Sequence, residues 1–567
     1  MKLILKQYLS SLKERGELDA ILPDLLSQLG LNVFSRPGRG TRQEGVDVGA
    51  VGSLDGEPER VFLFSIKPGD LTRRDWDGDA VQSLRPSLNE IIDAYIPNRL
   101  PSEHRGKVIV ICIGIGGDVL EQVRPQLEGF IKQNTNSSIT FEEWNGDKLA
   151  SLIQSCFLQE DLLPQNARSR LRKSLALLDE PEASYQHFST LIKSLSVVES
   201  KKDADYVKAL RQMSICLWIL FSWARDAKNM EAAYLSSELM LLYAWKIAGI
   251  FFEKKGKIVE DVTTSFVSIF SAYTQIRNGF LLTNVLPHVG QMHALSSAVR
   301  ASCSLDVNLK LFDLLGRLAT SGIWAYWGYR CTENDSDAKQ QLLEESLMYA
   351  SALKEMINHN PVLLLPIKDD QAIDIFMAFL LLSFEDHNHD FLKKWLVEIL
   401  NRTKFAYQTN GHYPCNLDSY SDLLSHPKSG DDEYRQSVTK GSILLPIIAL
   451  WAALLDDEET YNNVTLFKKE HLQHCNFQLW FPDESSEEHF YTNRDFHGAS
   501  LSHVCVDRPK EEFLAEVFGE CDQSNHFKEM SAVKFNWWPL IIVACRHYRL
   551  PIPLHFLEGL RKTPPSL

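Results

Sequence analysis

One run of residues, Val108-Ile-Val-Ile-Cys-Ile-Gly-Ile115, constrains this chain more than any other. A continuous apolar run of this kind is what a strand covered on both faces needs, so helices must lie above and below it. The flanking sequence supplies them. Spacing predicts a helix over 2–29, strands over 31–35, 46–51 and 61–67, and a helix over 80–96. After the central strand come a helix over 119–132 and a last strand over 138–143. The order of a helix, a three-stranded meander and two further helix and strand units predicts an α/β domain with a mixed sheet and helices on both faces.

Beyond Pro164 the pattern changes. Apolar residues recur at three and four over long segments, and 204–227, 231–253, 259–276, 307–327, 338–357, 370–384 and 443–455 all read as helices. Strand patterns are nearly absent, and no fixed period repeats a motif. The expected organisation is therefore an α/β domain over 1–163 followed by a large all-α, irregular solenoid-like region over 164–567, with room for two subdomains. Such a helical region is expected to bind a protein partner or to self-associate.

Charge and cysteine usage narrow the function. Against 59 Lys and Arg stand 74 Asp and Glu, a formal net charge of -15, so any phosphate-binding surface must be local. Ten cysteines without a Cys-x-x-Cys pair point to a reduced, cytoplasmic chain. The first nine residues carry charge too early and too short an apolar run for a secretory leader. The stretch from Gly441 to Leu455 is broken by Pro446 and falls short of the roughly 17 residues a membrane span needs, so no membrane partner is expected.

The segment with chemistry in it runs from Arg36 to Val51 and resumes over Val61-Phe-Leu-Phe-Ser-Ile-Lys-Pro-Gly-Asp70. Asp55-Gly56 between the two strands marks a turn that makes them an antiparallel hairpin. A turn centred near Gly56 gives paired positions that sum to about 112, which sets Asp47 opposite Ser65 and makes Asp47 and Lys67 diagonal neighbours. A carboxylate and an ammonium meeting at a sheet edge suit metal-assisted phosphodiester hydrolysis. Asp47 would hold Mg²⁺ or Mn²⁺, and Lys67 would orient the attacking water or neutralise developing charge. The same two residues also suit a plain surface ion pair. Glu44 stands three residues before Asp47 and could add negative charge. Arg36, Arg39, Arg42, Arg73 and Arg74 flank the pair, where guanidinium forks suit DNA phosphates and equally suit a solvated loop.

Together Leu25-Leu-Ser-Gln-Leu-Gly-Leu-Asn-Val-Phe34, Arg36-Pro-Gly-Arg-Gly40, Gly45-Val-Asp47 and the strand ending in Lys67 resemble the Mrr-like restriction endonuclease group of the PD-(D/E)xK nuclease superfamily. Glu143-Trp-Asn-Gly-Asp-Lys-Leu-Ala150 is similar to the Trp-x-Gly-x-x-Leu turn that often closes such domains. The resemblance covers roughly residues 14 to 155. It implies a restriction-endonuclease-like fold, Asp47 as the metal-binding aspartate, Lys67 as the catalytic lysine, and a further acid from the first helix at Glu17. Ser65 falls where the family carries Glu, Asp or Gln, which removes a charged metal ligand.

Two other clusters carry less. Gly114-Ile-Gly-Gly117 lacks the spacing of a phosphate-binding loop and reads as a strand-to-helix turn. His471, His474, Cys475, His489, His497, His503, Cys505 and Cys521 are joined by lengths that match no zinc module. Two functions stand out. One is a metal-dependent DNA endonuclease, an effector of a prokaryotic restriction or anti-phage defence system. The other is a nuclease fold without chemistry that serves as a binding or scaffold subunit.

Overall fold

The computed structural model describes residues 5–561 other than 7–8, 11, 13, 15–17, 37–43, 55, 79–82, 157–164, 199–201, 300, 333–336, 493–498 and 524. Contacts divide the chain into Met1–Ile276 and Arg277–Leu567.

The first unit is built on a mixed five-stranded sheet of order β1-β2-β3-β4-β5: Asn32–Ser35, Val48–Gly52, Arg60–Lys67, Ile109–Ile115 and Ile139–Trp144. β1, β2 and β3 pair antiparallel, and β3, β4 and β5 pair parallel. Parallel neighbours need crossovers, and the chain supplies helices for them. Between β3 and β4 lie α2 (Arg73–Asp77) and α3 (Leu84–Glu90), the latter continuing through a π-helical turn to Asn98. Between β4 and β5 lies α4 (Arg124–Asn134). α1 (Asp19–Gln28) precedes the sheet and α5 (Gly146–Cys156) follows it.

Every residue of β4 is buried, as its unbroken apolar sequence requires. Val61 and Leu63 of β3, with Ile109, Ile111, Ile113 and Ile115 of β4, meet Leu84, Leu88, Trp76 and Leu127 from the crossover helices. Each such side chain contributes about 1.5–3 kcal/mol by leaving water. Phe64, on the opposite face of β3, meets Trp144 edge to face at 5.0 Å.

The helices α6 (Gln165–Ala176), α7 (Pro181–Ser196), α8 (Asp203–Asp226) and α9 (Glu231–Ala248) belong to the same unit and pack on one another in sequence. Arg211 of α8 reaches Gln28 of α1 at 3.4 Å and Asp261 of α10 (Lys257–Asn284) at 3.5 Å.

The second unit is helical around two helices that are apolar on nearly every side, α13 (Ala372–Leu382) and α15 (Leu444–Leu454). The one charge in α13, Asp374, is buried and bound through both oxygens by Arg549 at 3.1 and 2.8 Å. α11 (Ser304–Cys331) packs on α12 (Asp337–His359), on α13 and on the distant α18 (Pro539–Tyr548). α14 (His389–Gln408) packs on α15 and α16 (Glu458–His471), while α17 (Lys510–Gln523) also packs on α15. This helical region contains a small sheet that its pattern did not predict: β6 (Gly441–Ser442) parallel to β7 (Asn476–Pro482), which is antiparallel to β8 (Ala499–His503). Among the described residues no helix is long and apolar enough to cross a membrane.

Candidate functional site

The β2–β3 hairpin has the register its turn predicts, with Val48 opposite Phe64, Gly49 opposite Leu63 and Val51 opposite Val61. Pairing runs on past the end of β2, since the Asp47 amide donates to the Phe64 carbonyl at 2.8 Å. The Asp47 carboxylate in turn accepts from the Ile66 amide at 2.7 Å. Asp47 is thus held against the end of β3 by backbone at both its own ends. Gly45 makes the approach possible: its φ is +82°, and a Cβ there would lie 2.1 Å from the Ser87 carbonyl oxygen.

Lys67 is 6% exposed, and its Nζ lies 3.3 Å from an oxygen of Glu14 in the segment before α1. Ser65, between them on β3, is 1% exposed, and its hydroxyl has no partner among the described residues. Burial pushes the Asp47 carboxyl up to about 6, the Ile66 amide and Lys67 oppose that rise, and the charges of Glu14 and Asp19 add to it. Among the described residues the site therefore gathers the acidic Asp47, Glu14 and Asp19 around the Lys67 ammonium.

The other expected residues are distributed differently. Glu44 is turned aside to Arg99 at 3.0 Å. Arg73 and Arg74 are exposed at the start of α2, whose first residue is six positions after the end of β3, where Thr72 and Asp75 cap the helix. Arg36 is exposed, and its charge acts on the buried Asp24 of α1. Glu17, Arg39 and Arg42 lie outside the described residues. Sequence reasoning named neither Glu14 nor Asp19. A signal for Glu14 was present, because it stands four, seven and eleven residues before the buried Leu18, Ile21 and Leu25. A charge placed on the apolar stripe of a helix faces the protein, not solvent.

The turn after β4 is closed by the start of α5. The Gly146 amide donates to the Gly117 carbonyl at 2.8 Å, and a Cβ on Gly146 would come within 2.5 Å of the Gly116 carbonyl oxygen. Trp144 donates from Nε1 to Glu142 at 2.9 Å, and the Lys148 ammonium sits 4.4 Å over its ring.

Among the described residues no three His, Cys, Asp or Glu side chains are grouped as a ready metal cage. Mg²⁺ does not need one, since it keeps several waters and is held by one or two carboxylates together with substrate phosphates. The donors here are oxygen atoms only, and the charges of Glu14 and Asp19, which add to the effect of burial on Asp47, are of the kind a cation offsets, so the residues fit a hard divalent ion. In the second unit Cys475 and Cys521 are buried, His474 meets the Thr439 hydroxyl at 2.8 Å, and His497 lies outside the described residues. No family model matches the chain, nor does any curated protein or solved structure.

Proposed function

We propose that the α/β part is a metal-dependent DNA endonuclease of Mrr-like, restriction-endonuclease-like build, and that the helical remainder regulates or assembles it in a cytoplasmic restriction or anti-phage system. The observation that carries this reading is the junction of Asp47 and the buried Lys67 at the end of one hairpin, with Glu14 brought to the lysine. Asp47 and Glu14 would hold Mg²⁺ or Mn²⁺, which when bound lowers the pKa of a water and offsets charge on the attacked phosphate. Lys67 supplies the protein's own positive charge to the phosphate oxygens, in a buried setting where it acts more strongly than in water. Asp47 stays aimed because the Ile66 amide fixes its carboxylate. Arg73 and Arg74 would contact the DNA backbone on either side of the cut.

Ser65 supports a second reading. A buried hydroxyl in place of a carboxylate suits a fold that has given up catalysis and binds or scaffolds instead. Incubating the purified protein with plasmid DNA and Mg²⁺ or Mn²⁺ separates the two. Nicking or linearisation that Asp47→Ala and Lys67→Ala each abolish, with circular dichroism unchanged, supports the endonuclease. No cleavage with either ion supports the scaffold, and cleavage that survives both substitutions refutes the site.

A further inference from the structure

The first helix beyond the expected boundary, α6, carries Arg168, Arg170, Arg172 and Lys173 and no acidic residue. No other described helix has so large an excess of positive charge, and this one belongs to a chain whose net charge is -15. The apolar side of α6 is turned inward. Ala167, Leu171 and Leu175 are buried, and the Ser184 hydroxyl of α7 donates to the Ser174 carbonyl at 2.8 Å. With 3.6 residues per turn, the four basic residues then fan across the opposite side. Arg172 and Lys173 are exposed there with Ser169 and Ala176, and Arg168 and Arg170 are partly buried.

Little of this charge is neutralised inside the protein. Among the described residues no carboxylate pairs with Arg170, Arg172 or Lys173. The Arg170 guanidinium donates instead to Nδ1 of His187 on α7 at 3.1 Å, and a ring nitrogen that accepts is unprotonated and brings no negative charge. The next acids along the chain, Asp179 and Glu180, stand at the connection to α7, past the last basic residue. Like charges one turn apart, as at Arg168 and Arg172, oppose helix formation, and bound anions relieve that repulsion.

We propose that the exposed face of α6 binds the phosphate backbone of duplex DNA without regard to base sequence. Three of its four cations are arginines, whose guanidinium forks take two phosphate oxygens at once. The face has no large apolar side chain among its exposed residues, as a surface for a solvated polyanion requires. An anionic membrane or a helix-binding protein would grip a basic amphipathic helix by its apolar side as well as by its charges, and here that side is buried. α6 lies in the same unit as the sheet, and Arg211 of α8 ties the helices of that unit to α1. The inference rests on the reading that this unit acts on DNA, and it adds a contact outside the α/β part.

The test titrates the full-length protein into a labelled duplex of mixed sequence in EDTA, where no metal-dependent cutting occurs, and reads fluorescence anisotropy over a range of salt. Arg172→Ala and Lys173→Ala should each lower the slope of log affinity against log salt by about one. Arg172→Glu combined with Lys173→Glu should weaken binding by roughly ten-fold or more, equally on duplexes of different sequence. Both side chains are exposed, so circular dichroism should not change. Lys255→Ala removes an exposed charge from the connection between α9 and α10 and should leave the slope as it was. An unchanged slope in both alanine variants, an equal loss in Lys255→Ala, or a parent that binds no duplex would overturn the proposal. Binding to phosphatidylserine vesicles that the double glutamate variant loses while it keeps its affinity for the duplex would overturn it in favour of a membrane. A parent that binds DNA through this face yet cuts plasmid with neither Mg²⁺ nor Mn²⁺ would sink the nuclease reading and support this one, whereas cleavage with the slope unchanged would do the reverse.

Discussion

Replacing Asp47 by Asn should make the α/β part more stable at neutral pH while destroying the function proposed for it. The folded carboxyl titrates at about 6 against 3.8 in a free chain, so the folded state binds this proton more tightly than the unfolded one. Its contribution to stability is therefore fully present below pH 3.8, declines as the pH rises toward 6, and is absent above that. The gap corresponds to on the order of 3 kcal/mol at 1.36 kcal/mol per pH unit. An amide removes the buried charge yet can still accept from the Ile66 amide through its oxygen. Asp47→Asn is thus expected to match the parent at pH 4 and to exceed it by up to about 3 kcal/mol at pH 8 in metal-free buffer. Because a chain of this size need not unfold in one step, the assay is native-state hydrogen exchange, read on peptides covering β2 and β3. Equal or weaker protection of these peptides at pH 8, or the same gain at both pH values, would refute the account of Asp47 as a charge held at a cost for function.

Three further outcomes follow from the same site. Gly45→Ala should destabilise the β2–β3 region by about 2 kcal/mol or more, seen as lost exchange protection, because it adds left-handed strain and a clash with Ser87. Ser65→Glu puts another carboxylate beside Asp47, so it should lower the melting temperature in EDTA and show a larger rise on adding Mg²⁺ than the parent; an equal response in both proteins would mean that Glu14 already completes the site. Arg73→Ala and Arg74→Ala should each weaken DNA binding across all sequences and lower the slope of log affinity against log salt by about one, measured by fluorescence anisotropy; an unchanged slope would remove them from the interface.

Much of the α/β part was legible in the chain because its signals are local. Strand alternation and the turn at Gly56 set the hairpin register, and a pairing that advances in steps of one residue then carries Asp47 opposite Ser65 without further information. The long helices of the second part were legible for the same reason, since 3.6-residue periodicity over twenty residues is hard to mimic. β7 had its own signal, with Phe477, Leu479 and Phe481 buried in alternation. Its partners did not: β6 is two residues long and lies 34 positions upstream, so that sheet exists only through contacts between distant segments.

The chain by itself determined which residues carry charge at the strand ends and that Lys67 would share a sheet face with Ser65. Only the tertiary structure decided which acid meets that lysine. That Glu14 meets it depends on how the segment before α1 is rotated against the sheet, which the burial of Leu18, Ile21 and Leu25 sets. The burial that raises Asp47 and the diversion of Glu44 to Arg99 belong to the same class. Each depends on what lies across from a residue, and periodicity along the chain specifies a face without specifying what that face will meet.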